Sequence, residues 1–228
     1  MKTDGKTTLD LGKCNHILIH ALVNLGDVVL ATGVAALLKR ENPQLHITML
    51  VRPFAREVLE DSSVIDEVMI FSYQSKHKSW GKMLDMVKLL RKKKFDACIS
   101  LDRKLRPALC TYMARIPIRI VPERVFDDKP SRVTWFYNHV LPQAPDFARR
   151  PQYESFQRPI AQAFGLGDKL APPVMGKIRP EHEEKATELL AMAPPGSLKI
   201  ALCVKGSFPL KNWPMEYFLE TMKRLREK

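Results

Sequence analysis

The residues best placed to do chemistry sit in the segment Asn24-Leu25-Gly26-Asp27, between an apolar run and a stripe of helical period. A carboxylate at that point, Asp27, can act as a general base toward a hydroxyl nucleophile. It can also serve as a helix N-cap, accepting backbone N–H groups at the positive end of the dipole. The two roles can coexist, although a full cap would lower its pKa and weaken the base. Gly26 allows a tight turn and the close approach of a ligand. A second group, Arg103, Lys104 and Arg106, belongs to a longer basic stretch with Arg115, Arg119, Arg124, Lys129 and Arg132. Guanidinium forks suit carboxylates and phosphates, and the plainer alternative is a solvated charged face. Arg91-Lys92-Lys93-Lys94 ends a helical pattern, where cations complement the dipole.

Periodicity supplies the elements that must hold these groups. The apolar run Ile17-Leu18-Ile19 within residues 16–23 reads as a buried strand. Leu30, Val34, Leu37 and Leu38 follow at helical spacing, and Asn42-Pro43 closes the helix. Residues 45–51 read as a second strand, completing a strand–helix–strand unit that favours a parallel sheet. A short helix is expected over 53–60, strands over 64–71, 97–101 and 118–121, and helices through Trp80–Leu90 and over 106–115. Strands alternating with helices predict a doubly wound α/β sheet. Asp27 and Arg103 then follow the first and fourth strands, on the edge where open α/β sheets place ligands.

The pattern weakens between Pro122 and Pro159, and residues 166–180, rich in Gly and Pro, read as a linker. Beyond it come a helix over 181–193, a Pro-Pro-Gly turn, a strand over 198–204 and a helix from about Pro214. The expected division is a polar extension at 1–15, a Rossmann-like domain at 16–165, the linker at 166–180, and the start of a second α/β domain at 181–228.

Composition bounds the partners. The 228 residues are 45% hydrophobic and 27% charged, which is ordinary globular usage. Their 37 Lys plus Arg against 25 Asp plus Glu give +12, an excess that favours polyanionic or phosphorylated partners. No aromatic RNA motif or recognition-helix pattern accompanies the charge, so nucleic acid is not expected. Neither a G-x-x-x-x-G-K-[ST] loop nor a G-x-G-x-x-G fingerprint occurs, which excludes the standard nucleotide-loop readings. The four cysteines lie far apart with no C-x-x-C spacing, so neither a metal site nor a disulfide framework is expected. No apolar run reaches membrane-span length, and the first fifteen residues lack an apolar leader core. A cytoplasmic protein is expected.

Two motifs carry a resemblance. Residues 17–43, I-L-I-H-A-L-V-N-L-G-D-V-V-L-A-T-G-V-A-A-L-L-K-R-E-N-P, resemble the amino-terminal signature of the heptosyltransferases, glycosyltransferase family 9. Residues 204–214, V-K-G-S-F-P-L-K-N-W-P, resemble the family's Gly-small…Lys-x-Trp-Pro loop, with Glu216 and Phe218 following as in its next helix. The resemblance implies a GT-B glycosyltransferase that inverts configuration, passing heptose from an ADP-activated donor to the anionic lipopolysaccharide inner core. Asp27 would be the catalytic base, with Gly26, Arg103, Lys104 and Arg106 on the acceptor side. Ser207 and Lys211 would meet the donor diphosphate, and Trp213 would be a packing residue. No cofactor or metal is implied, since the nucleotide sugar is a substrate, and attraction to the cytoplasmic face of the inner membrane would suit the charge.

The sequence also departs from the family. Gly33 stands where proline is common, and Lys205 where proline often precedes the glycine. Only the opening of a second domain follows Pro180. The chain alone is therefore expected to be catalytically silent and prone to association, with a catalytically inactive acceptor-binding fragment as the rival reading.

Overall fold

Ile17, Leu18 and Ile19 are inaccessible to solvent from both sides, which only a central strand of a two-sided sheet achieves. In the computed structural model, which describes residues 8–72, 80–125, 132–204, 206 and 212–226, they form β1 (His16–His20). Its parallel neighbours are β2 (His46–Val51) and β4 (Ala97–Ser100). With β3 (Glu67–Ile70), β5 (Ile118–Pro122) and β6 (His139–Leu141) they make one six-stranded sheet, ordered β3-β2-β1-β4-β5-β6 and parallel throughout. That order reverses direction between β1 and β4, the switch point where such sheets open a crevice at their carboxyl ends. The α/β, Rossmann-like reading of the sequence holds.

Strand alternation divides the core in two. Ile17, Ile19, Ile47, Met49 and Ile99 face α1 (Leu25–Glu41) and α4 (Gln152–Ala163), meeting Val34, Leu38, Phe156 and Ile160. Leu18, Leu50, Met69 and Cys98 face the other way, toward α2 (Trp80–Lys93) and α3 (Leu105–Met113), meeting Val87, Leu90 and Cys110. Each fully buried aliphatic side chain of this kind contributes roughly 1.5–3 kcal/mol. Helix α1 is apolar nearly all round because α4 covers the face it turns from the sheet. Gly33 follows from that cover. A Cβ there would stand 2.5 Å from Gln157 Nε2, and Gln157 is committed to both the N–H and the C=O of Ala171.

Several local expectations change. Residues 53–60 form two single 3-10 turns, Pro53–Ala55 and Glu57–Leu59, rather than a helix. β6 and α4 arise where the pattern looked weakest. Pro159 lies inside α4, lacks an N–H and leaves the carbonyl of Ser155 without its helical donor; Gln143 Nε2 supplies one at 2.9 Å. The polar extension is tied down from Thr8 onward: Leu9 N–H donates to Ala163 O, and Leu11 and Cys14 are buried. The expected linker is packed as well. Ala171 is buried, Val174 N–H donates to Thr32 Oγ1, and Gly176 N–H donates to Val58 O. A Cβ on Gly176 would fall 2.0 Å from Glu60 O, so only glycine fits that approach.

The chain forms two units, one through Lys177 and one from Ile178 to Lys228. The second contains α5 (Pro180–Ala191) and α6 (Met215–Arg226), and neither helix buries a described residue. Residues 198–204 belong to no sheet, contrary to the strand expected there, because no described strand lies alongside to share a ladder. No helix among the described residues is long and apolar enough to cross a membrane.

Candidate functional site

The candidate site lies at the carboxyl ends of β1 and β4, where the loops leaving two adjacent strands lead into α1 and α3. Asn24, not Asp27, takes the N-cap position of α1, and it makes no side-chain cap bond. Asp27 stands in the first helical turn, half-buried, so the cap reading gives way to a carboxylate on the opening turn of the helix. Gly26 is exposed and lacks positive φ, and a Cβ there would meet nothing. It serves no tight turn. What it leaves is open space at its own position on the first turn of α1.

Across the switch point, Lys104 is the N-cap residue of α3, and Arg106 lies in its first turn. Cations at a helix N-terminus oppose the dipole, so helix stability does not account for them. Together with the positive end of the helix dipole they suit an anion. Arg103 is half-buried between them and the strand. The remainder of the basic stretch divides. Arg124 follows β5 on this same edge, its guanidinium 5.7 Å from the Phe147 ring. Arg119 is structural, donating to Phe136 O and Ile116 O and stacking over Tyr112. Arg115 turns the chain after α3 with φ of 60°, toward the amino end of the sheet. Lys129 and the side chain of Arg132 lie outside the described residues.

The residue that joins the two loops is one the sequence reading passed over. Asp102, 1% exposed, accepts Leu22 N–H at 2.8 Å through Oδ2 and Lys104 N–H at 2.7 Å through Oδ1. One carboxylate thus holds the backbone leading to Asp27 and the backbone carrying the basic group. His20 Nδ1 lies 3.4 Å from the same carboxylate and 2.9 Å from Ser100 Oγ. Burial pulls His20 below the ordinary histidine range despite Asp102, and its Nε2 has no hydrogen-bond partner among the described residues. A neutral ring with the proton on Nδ1 fits, since an unfilled acceptor is then all that burial leaves at Nε2. The signal for Asp102 was available: an acidic residue just past a strand end, at the switch point.

The second loop is only partly in view. Ser207 and Lys211, expected at the donor diphosphate, lie outside the described residues, as does Lys205. On either side of them Gly206 N–H donates to Asn212 Oδ1 at 2.7 Å. Trp213, about half exposed, sets its ring against Tyr217 and Phe218, with centroids 5.6 and 4.9 Å away.

Comparison with known proteins finds relatives of this chain and of its fold. The family model described as glycosyltransferase family 9 (heptosyltransferase) matches residues 83–228, well over half of the chain. A protein of Haemophilus influenzae, whose name provisionally makes it a glycosyltransferase, is 26% identical over 148 residues, covering 65% of this chain and 40% of its own. The crystal structure of the glycosyl transferase family 9 protein from Veillonella parvula superposes with a TM-score of 0.76 at 20% identity, over 97% of this chain and 61% of that one. E. coli ADP-heptose lps heptosyltransferase II gives 0.67 at 21% identity, over 93% and 61%. E. coli heptosyltransferase WaaC with ADP-2-deoxy-2-fluoro heptose gives 0.63 at 17% identity, over 92% and 65%. The chain therefore spans less than two thirds of the length of each of these relatives.

Proposed function

The chain belongs to glycosyltransferase family 9 (heptosyltransferase), and from that membership we propose that it serves the transfer of heptose from an ADP-activated donor to an anionic lipopolysaccharide core acceptor. The observation that carries the proposal is Asp27 on the first turn of α1, next in the chain to the open position of Gly26, at the switch point. In the proposed reaction the acceptor hydroxyl attacks the anomeric carbon from the face opposite the diphosphate, and Asp27 takes its proton. The new C–O bond forms as the bond to phosphate breaks, and ADP leaves with the electron pair, so configuration inverts. Diphosphate is a good leaving group, and one positioned base suffices, contributing typically ~10²–10⁴-fold.

Arg103, Lys104 and Arg106, at the start of α3, are proposed to hold the acidic acceptor. Ser207 and Lys211 are proposed to meet the donor diphosphate, with the nucleotide sugar a substrate and no cofactor needed. The basic surface would suit work at the cytoplasmic face of the inner membrane. Because the chain spans 61–65% of the solved relatives, turnover is proposed for the whole protein rather than for these residues alone.

Calorimetric titration of residues 1–228 with ADP-heptose, and separately with a phosphorylated core oligosaccharide, separates the readings. Binding of both supports the transferase. Binding of the oligosaccharide alone supports an acceptor-binding fragment. In any form of the protein that turns over, Asp27→Ala should abolish transfer and spare donor affinity; activity within roughly tenfold of the unmutated protein would remove Asp27 from the base role.

A further inference from the structure

At the opposite end of the sheet from the candidate site, each of three neighbouring strands begins with a residue able to bind a metal. His16 opens β1, His46 opens β2 and Glu67 opens β3. Register puts them on one face: His16 pairs with His46, and Glu67 pairs with Thr48, two residues further along β2 and therefore on the same side as His46. One ligand atom from each lies within 4.8 Å of the others. We propose that His16, His46 and Glu67 form a binding site for a divalent transition-metal ion of the zinc class, distinct from the transfer site and independent of that reaction.

The surroundings of the three groups support the assignment. His16 Nδ1 lies 3.2 Å from the carbonyl of Lys93, which can only accept, so the proton belongs on Nδ1. Nε2 then lies 2.8 Å from Thr48 Oγ1, itself 3.3 Å from Glu67 Oε2, and a metal ion would take that lone pair in place of the hydroxyl. A backbone carbonyl that fixes the tautomer of a ligating histidine is the usual outer-shell arrangement at metal sites. The backbone beneath is anchored. Asp96 Oδ2 accepts the N–H groups of Asn15 and His16 at 2.7 and 2.9 Å, and Asp66 Oδ2 accepts Ile47 N–H at 2.7 Å.

Two imidazoles and one carboxylate are a borderline-soft set, suited to zinc rather than to magnesium or calcium. Tetrahedral zinc needs ligand atoms about 3.3 Å apart, so side-chain rotation must close the cluster by up to about 1.5 Å. The fourth position would fall to water, since His46 is exposed. At present the ammonium of Lys93 pairs with the carboxylate of the cluster, with Nζ 2.6 Å from both oxygens of Glu67. It sits on a flexible stem at the end of α2 and can turn outward when a divalent ion arrives. A five-residue strand separates the cluster from the switch point by roughly 15 Å, so the ion would tie the three strand starts to one another rather than join the chemistry.

Cobalt(II) is the probe, because its visible d–d bands report four-coordinate binding directly. Untagged chain titrated with cobalt should show one equivalent with those bands, displaced by zinc. His46→Ala and Glu67→Gln, both conservative for folding at an exposed and a half-buried position, should each weaken binding roughly tenfold or more. Lys93→Met should tighten it, because the competing ammonium is gone. The site is overturned by the absence of a bound equivalent, by binding that both His46→Ala and Glu67→Gln leave intact, or by a Lys93→Met chain that binds no tighter.

Discussion

The two units of this chain are written in the same apolar language and end in opposite conditions. Through Lys177, residues such as Ile19, Leu38 and Phe156 are wholly shielded. From Ile178 onward the corresponding residues stay open to solvent: Leu198 is 86% exposed and Met192 82%, although 198–204 is as apolar and branched as β2. Apolar periodicity promises a buried face only when a neighbouring strand or helix exists to cover it. In the first unit six strands satisfy one another. In the second, two helices and an unpaired segment have no described sheet to lie against.

Core truncation should separate the units most sharply. Phe156→Ala removes the largest fully buried side chain from between α4 and the sheet, and should cost about 3–5 kcal/mol by urea unfolding followed by circular dichroism. A loss below about 1 kcal/mol would mean the first unit is less tightly packed than described. Asp102→Ala comes next. It strands the buried N–H of Leu22 and the part-buried N–H of Lys104, so about 2–3 kcal/mol should be lost by the same measurement. Asp102→Asn should lose less, since one amide oxygen can still accept.

Acid supplies a smaller effect. His20 has its folded pKa depressed by burial, so below the ordinary value of ~6.5 the unfolded chain binds a proton that the folded chain does not. Stability should be fully present above that value and decline as pH falls beneath it, at no more than about 1.4 kcal/mol per pH unit for one group. His20→Gln should flatten the slope between pH 7 and pH 5, and an unchanged slope would assign the effect elsewhere. The smallest effect belongs to the second unit. Leu198→Ser should change stability by less than about 0.5 kcal/mol, because almost none of Leu198 is covered. A larger loss would show that the exposed face has found a cover in solution.

What the sequence determined alone is local. The run of elements from β1 to β5 was legible because periods of two and of 3.6 can be read residue by residue, and the place of Asp27 just after β1 follows from the same pattern. What needed the tertiary structure depends on partners distant in the chain. α4 survives Pro159 only because Gln143 donates to the carbonyl that the proline leaves bare. Asp102 matters because β1 and β4 are neighbours, which brings Leu22 and Lys104 to one carboxylate from positions 82 apart. No spacing rule connects His16, His46 and Glu67; the register of three parallel strands does. The expected strand at 198–204 failed for the same reason in reverse. A strand is a property of a pair, and one segment of sequence can specify only its own half.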